Sequence, residues 1–266
     1  MIRMRHFLIL AALLLAACGG GESSDQTAAP AVSAADEGAA TASSETGDAA
    51  AADASADSEA ATADSEATAD NEPPPIPEDQ FRMGVSYLRL TPTQPTSSSP
   101  DQVEVAEFFW YGCPHCFAFD PYVRKWLMTK PDYINFVRIP AVWNPLVRMH
   151  ARMFYTAQQL GKGDEMHEAF FNEIHTNGNM LDSEDKIAAF FGKFSVSQMD
   201  FKKAWDSFDV NAKLQRANEL ARRYDISSVP SIVINGKYTS DGSMAGSWDK
   251  LIELTNQLAA AEHAAH

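Results

Sequence analysis

Between Gly19 and Asn71 the chain contains no Phe, Trp, Tyr, Leu or Met. A stretch of that length without a bulky apolar side chain has nothing to bury against the entropy of ordering its backbone. Any packed fold must therefore come from the residues C-terminal to it. The same stretch accounts for the acidity. Gly19 to Asp79 holds 15 Asp and Glu and no Lys or Arg, whereas residues 80–266 hold 21 acids against 19 bases, only about −2 of the formal −15. An alanine-rich helix is the competing reading, but scattered Ser, Thr and Asp and mutual acid repulsion oppose it. About 60 flexible residues reach roughly 40–45 Å root-mean-square, and further when their charges repel. Residues 18–79 read as a disordered acidic tether. The absence of a basic patch argues against a nucleic-acid partner.

Ahead of the tether, Arg3 and Arg5 precede the apolar run Phe7–Ala17. Eleven residues are too few to span a bilayer as a helix, and the pattern is that of a secretory signal over residues 1–17. Leu15-Ala16-Ala17-Cys18 resembles a bacterial lipobox, which implies a diacylglycerol anchor on Cys18 and attachment to a membrane. The alternative is an ordinary signal peptide that contains a cysteine. Gly19, rather than Asp, follows Cys18, so the resemblance slightly favours the outer membrane over the inner.

From about Arg82 the composition is globular. Val85–Leu90, Val103–Trp110 and Ile134–Ile139 read as strands, with a helix from Pro114 to Met128 between the last two. Leu146, Met149, Met153, Ala157 and Leu160 recur at helical spacing, with Asn144-Pro145 as cap and first-turn pair. Ser197 with Asp200 reads as a capping box. Strand character returns with Ser231–Ile234, then the Asn235-Gly236 turn signal, and Ser247–Glu262 reads as a closing amphipathic helix. The pattern is an α/β domain over residues 80–266, interrupted by a helical block at about 144–224.

The chemistry is concentrated at Cys113-Pro114-His115-Cys116. Two cysteines separated by two residues, after a strand and opening a helix, form a redox arrangement. Cys113 falls at the helix N-terminus, where unpaired N–H groups and the dipole favour a thiolate, and Cys116 lies one turn inside. Pro114 suits the first helical position, and His115 is placed to stabilise the thiolate further. A lowered thiol pKa stabilises the reduced form, so such a protein tends to give its disulfide away. Three alternatives fit the residues less well. A zinc half-site lacks a second CxxC or a spaced His pair, and haem attachment needs His where Phe117 stands. A static disulfide has no need of the Pro-His insert.

The stretch Glu107-Phe108-Phe109-Trp110-Tyr111-Gly112-Cys113-Pro114-His115-Cys116 resembles the active site of the DsbA family of thiol:disulfide oxidoreductases. The stretch Val229-Pro230-Ser231-Ile232-Val233-Ile234-Asn235-Gly236-Lys237-Tyr238, about 115 residues on, resembles that family's cis-proline loop and the strand and turn after it. The resemblance covers roughly residues 82–262. It implies a thioredoxin-like fold with an inserted helical domain, Cys113 as exposed nucleophile and Cys116 as buried resolving thiol. It further implies that Pro114 and His115 tune the thiolate and that Val229 and Pro230 pair with substrate backbone. Glu107 matches a buried acid that assists proton movement; its alternative is a surface carboxylate on an edge strand. Trp110-Tyr111-Gly112 departs from the family pattern by a glycine and larger aromatics, which implies a different groove rim.

The resulting expectation is a lipid-anchored, periplasm-facing dithiol oxidase without cofactor or metal. Its partners are reduced, cysteine-containing envelope proteins, and the resemblance implies a quinone-linked membrane reoxidant of the DsbB type. A reductase or isomerase on the same fold remains an alternative, although the Pro-His insert opposes the first and the lack of a dimerisation domain before Arg82 the second. A non-catalytic binding lipoprotein is the other. His150, His167 and His175 are expected in ordinary surface or boundary roles, and Met149, Met153 and Met166 in core packing. His263 and His266 are expected in a disordered terminus.

Overall fold

A computed structural model of the chain describes Ile76 and residues 79–265. The signal segment, Cys18, the tether up to residue 75 and His266 lie outside the described residues. The sheet has five strands in the order β1-β5-β4-β2-β3. These are β1 (Leu88–Arg89), β2 (Val103–Phe109), β3 (Ile134–Pro140), β4 (Ser231–Ile234) and β5 (Tyr238–Ser240). β2 and β3 are parallel, joined across one face by α1 (Pro114–Leu127); β4 runs antiparallel to β2, and β5 to β4. Between β3 and β4 stand α2 (Pro145–Gln159), α3 (Gly163–His175), α4 (Glu184–Gly192), α5 (Gln198–Trp205) and α6 (Phe208–Arg223), the helical block expected at 144–224. α7 (Gly242–Ala245) and α8 (Trp248–Ala264) close the chain.

Every residue of β2 is buried because both faces of the sheet are covered. Alternation along the strand divides the core. Val103 and Val105 join Phe119, Val123, Leu251, Leu254 and Leu258 under α1 and α8. Ala106 and Phe108 join Met153, Met166, Phe170 and Leu214 of the helical block. Met153 and Met166 are fully buried and Met149, partly buried, packs against the same cluster, so the methionine face is core. Ile76 and Phe81 are buried in the cluster under α8, so packing begins ahead of the expected boundary at residue 80.

The local signals that placed the helices operate through identifiable bonds. Asn144 Oδ1 accepts from Val147 N at 3.0 Å, with Pro145 following as the first helical residue. Ser197 Oγ accepts from Asp200 N at 3.1 Å, while its hydroxyl donates to Asp200 Oδ2 at 2.7 Å. The acid of this box therefore bonds the serine hydroxyl rather than a backbone N–H. Asn235 and Gly236 both lie at positive φ, and Lys237 N donates to Ile234 O, closing the β4–β5 turn. Two expectations need correction. The first strand is only Leu88–Arg89, because Gly84, at φ +80°, opens a turn in which Ser86 N bonds Arg82 O and leaves Val85 exposed. His263, expected in a disordered terminus, belongs to α8 and stacks on Tyr133 with ring centroids 4.1 Å apart.

Candidate active site

β2 delivers the chain to the site and α1 carries it away. After Phe109 the chain turns through Trp110-Tyr111-Gly112, and Cys113 N donates back to Trp110 O at 3.0 Å. A Cβ on Gly112 would collide with the Trp110 indole, which explains a glycine at this bend. Cys113 is the N-cap of α1 in extended conformation. Pro114 takes the first helical position. Pro114 and His115 are exposed and Cys116 has no exposed surface. Cys113, expected as an exposed nucleophile, is itself buried at 8% exposure, with Val229 O lying against its sulfur. Both cysteines are thiols in this structure. The second motif arrives opposite them: the Val229–Pro230 bond is cis, and Cys113 Sγ donates to Val229 O at 3.5 Å. The structure therefore brings Cys113, Pro114, His115, Cys116, Val229 and Pro230 together as the sequence led one to expect.

The two sulfurs are driven in opposite directions. The Cys113 thiol is lowered to about 6, chiefly by a hydrogen bond from the Cys116 thiol; burial opposes, and the N–H groups of Cys116 and His115 and the charge of the His115 ring assist. Burial pushes the Cys116 thiol well up, reinforced by its bond to Cys113, the charge there and the charge of Glu107. One sulfur is thus a thiolate near neutrality and a good leaving group, and the other is a protonated reserve.

Beneath Cys116 lies a buried polar network. Glu107 is not an edge carboxylate: it sits on β2, inside the sheet, and is 3% exposed. Its register partner on β3 is Arg138, whose Nε donates to Glu107 Oε2 at 3.1 Å. Burial raises the Glu107 carboxyl to about 7, with Arg138 pulling down and the charge of Asp120 pushing up. Asp120, on α1, accepts from Arg124 Nε at 2.8 Å. His167 Nε2 lies 3.1 Å from Asp120 Oδ1, and His167 Nδ1 lies 2.8 Å from the Tyr111 hydroxyl. Burial lowers the His167 ring and the Asp120 carboxyl is held low by its partners. The consistent assignment is an ionised Asp120 accepting from His167 Nε2–H, while the Tyr111 hydroxyl donates to His167 Nδ1. Arg138 and His167 also line a cavity of about 700 Å³ bordered by Tyr155, Lys213, Arg216 and Tyr224.

The expected surface or boundary roles of the histidines require correction for two of the three, and all three hold the segment that leads into the cysteines. Trp110 Nε1 donates to His150 Nδ1 at 3.0 Å, and His150 is 1% exposed. His167 is buried against Tyr111. His175, half-buried, donates from Nε2 to Tyr111 O at 2.8 Å and stacks on Phe117 at 4.7 Å. Their spacing on α2 and α3 announces helix faces but not that those faces close over a turn some 40–64 residues earlier. Sequence reasoning also passed over Asp120 and Arg138; the pairing of β3 with β2 sets Arg138 beside Glu107, which is a signal available only once the register is known. Among the described residues no group of three or more His, Cys, Asp or Glu could hold a metal ion.

A dithiol at a helix N-terminus, one sulfur activated and the other fully buried and protonated, facing a cis-proline loop, defines a thiol:disulfide oxidoreductase. Similarity to known proteins makes the assignment specific. The family model for the DSBA-like thioredoxin domain matches residues 144–253. Thiol:disulfide interchange protein DsbA of Pseudomonas syringae pv. tomato is 38% identical over 187 residues, 70% of this chain and 87% of that protein. That of Azotobacter vinelandii is 35% identical over 185 residues, 70% of this chain and 86% of the other. The crystal structure of Pseudomonas aeruginosa DsbA matches with a TM-score of 0.67 at 34% identity, covering 70% of this chain and 97% of that one. The chain belongs to the DsbA family, with its thioredoxin-like fold and thiol:disulfide oxidoreductase activity.

Proposed function

We propose that this chain donates its Cys113–Cys116 disulfide to reduced, cysteine-containing proteins of the bacterial envelope. The supporting observation is the Cys113 thiol lowered to about 6, which stabilises the ionised dithiol over the disulfide, while Cys116 stays protonated beside it. A substrate thiolate attacks Cys113 Sγ, the S–S bond breaks and Cys116 leaves with the electron pair. Glu107, whose carboxyl burial raises to about 7, supplies the proton that Cys116 requires. The substrate's second thiolate then attacks its own sulfur in the mixed disulfide, and Cys113 departs as a thiolate. Two electrons have passed from substrate to enzyme. Pro114 and His115 shape the thiolate, and Val229 and Pro230 present the backbone along which an extended substrate lies.

Recharging removes those two electrons to a quinone-linked membrane partner of the DsbB type. Cys18 carries the lipid, residues 1–17 are the signal, and the acidic segment holds the domain off a periplasm-facing membrane, the outer slightly favoured. Replacing Cys113 with Ala tests the reading: oxidation of a dithiol peptide should stop, and retained turnover would overturn it. Incorporation of labelled fatty acid into wild type, and not into Cys18→Ala, tests the anchor.

A further inference from the structure

Arg138 stands between two carboxylates and is not shared equally. Its Nε donates to Glu107, whereas its Nη2 is 3.6 Å from Asp120 Oδ1 and has no hydrogen-bond partner among the described residues. A buried guanidinium N–H left unpaired beside a carboxylate needs a reason. The reason lies in what else holds that oxygen. Asp120 Oδ1 faces His167 Nε2 at 3.1 Å, and His167 is anchored from its other nitrogen by the Tyr111 hydroxyl. Phe109 and Phe171 pack edge-on against the same ring and fix its plane.

We propose that His167 is a positioning residue for the thiol–disulfide exchange: by holding Asp120 Oδ1 it keeps that carboxylate off Arg138 Nη2, so that Arg138 stays committed to Glu107. If His167 is removed, Asp120 closes onto Nη2, the guanidinium is neutralised from that side, and Glu107 loses part of the charge that favours its ionised form. Glu107 then retains its proton to higher pH. The proton it exchanges with Cys116, Cys–SH plus carboxylate giving Cys–S⁻ plus carboxylic acid and the reverse, is displaced accordingly. This rests on Glu107 serving Cys116 as proposed above.

The charged and titratable groups around Glu107 are few. α1 contributes Asp120 and Cys116, β3 contributes Arg138, and the Tyr111 phenol lies within reach of its charge. β4 places Ile232 beside it. Of the buried residues of α8 only Glu262 carries charge, and Asn235 and Lys237 hold it at the β4–β5 turn. Around His167 stand Asp120, Arg124, Arg138 and the Tyr111 hydroxyl.

The test is an infrared titration of the Glu107 carboxyl, assigned as the band lost in Glu107→Gln, on the reduced protein. In His167→Phe the midpoint should rise by about one pH unit, the scale of one charge-assisted hydrogen bond redistributed between two carboxylates. His167→Gln, whose amide can still donate to Asp120, should keep the wild-type midpoint. Asp120→Asn removes the competing charge and should move it down. A wild-type midpoint in His167→Phe, or the same rise in the Gln variant, would overturn the proposal. If the Phe variant does not fold, an unmoved or raised midpoint in Asp120→Asn overturns it instead. Loss of dithiol oxidation is a separate readout: a wild-type protein without it would sink the proposed function and leave the titration result standing.

Discussion

The mouth of the site and its floor are built on opposite principles. At the mouth, Cys113 is stabilised as an anion by groups that the local chain supplies: the start of a helix, the N–H groups of His115 and Cys116, and the thiol one turn inside. At the floor, Cys116 and Glu107 are kept from ionising because they are buried, and the polar groups around them come from several different elements. The mouth therefore depends on four consecutive residues, and the floor depends on the whole tertiary structure. Disulfide donation uses both, an outer sulfur that leaves easily as a thiolate and an inner one that takes up a proton once the S–S bond has broken.

The contrast is most exposed to test at the inner sulfur. In Cys116→Ala the Cys113 thiolate can still attack a peptide disulfide, but the intramolecular resolving thiol is gone. The mixed disulfide should persist, with escape slowed on the order of 10³-fold or more, as seen by mass spectrometry of the trapped adduct. Rapid release would mean that the two sulfurs do not act as a pair.

Glu107 perturbs the floor in another way. Its folded pKa lies above the ordinary carboxyl value, so its contribution to stability is complete below the unfolded range and is lost as pH rises through about 7. Glu107→Gln should unfold like wild type at pH 4 and be more stable by roughly 3 kcal/mol at pH 8, measured by denaturant titration. An equal midpoint at both pH values would mean that the carboxyl is not held protonated by burial.

The mouth has the reverse sign. The Cys113 thiol lies below its ordinary value, so the reduced form gains stability as pH rises above about 6 and loses it as pH falls through that value. The reduced protein should exceed the oxidised one by about 1–2 kcal/mol at pH 7.5, a figure discounted because the sulfur is partly screened by solvent, and the gap should close at pH 5. Smallest of all, His115→Ala should raise the Cys113 pKa by no more than about one unit. It removes the charge of the ring and keeps the N–H, and the thiolate absorbance reads the change directly.

How much of this could be read from the sequence divides along the same line. The Cys113–Cys116 pair, the Pro114 first turn and the Val229–Pro230 loop are local patterns whose meaning does not depend on register, and the structure places them together. So are Asn144, Ser197 and the Asn235-Gly236 turn, whose bonds span at most three residues. The burial of Glu107 was legible only through family resemblance, because an acid in a β-rich run reads equally well as a surface residue until both faces of β2 are known to be covered. Arg138, Asp120 and His167 carried no local signal. Each acquires its role from contacts 31 to 56 residues distant, and hydrophobic periodicity reports that a helix has an inner face without naming what that face meets. The first strand failed for a simpler reason: β-forming residues from Val85 onward were outvoted by the turn at Gly84.

The reduction potential of Cys113–Cys116, measured at equilibrium against glutathione, tests the direction of the reaction itself. A disulfide donor should give a value far above the thioredoxin level of about −270 mV, toward the roughly −120 mV known for DsbA itself. A value near or below about −250 mV would show that this pair accepts disulfides rather than donating them, and would contradict the proposed direction of the reaction.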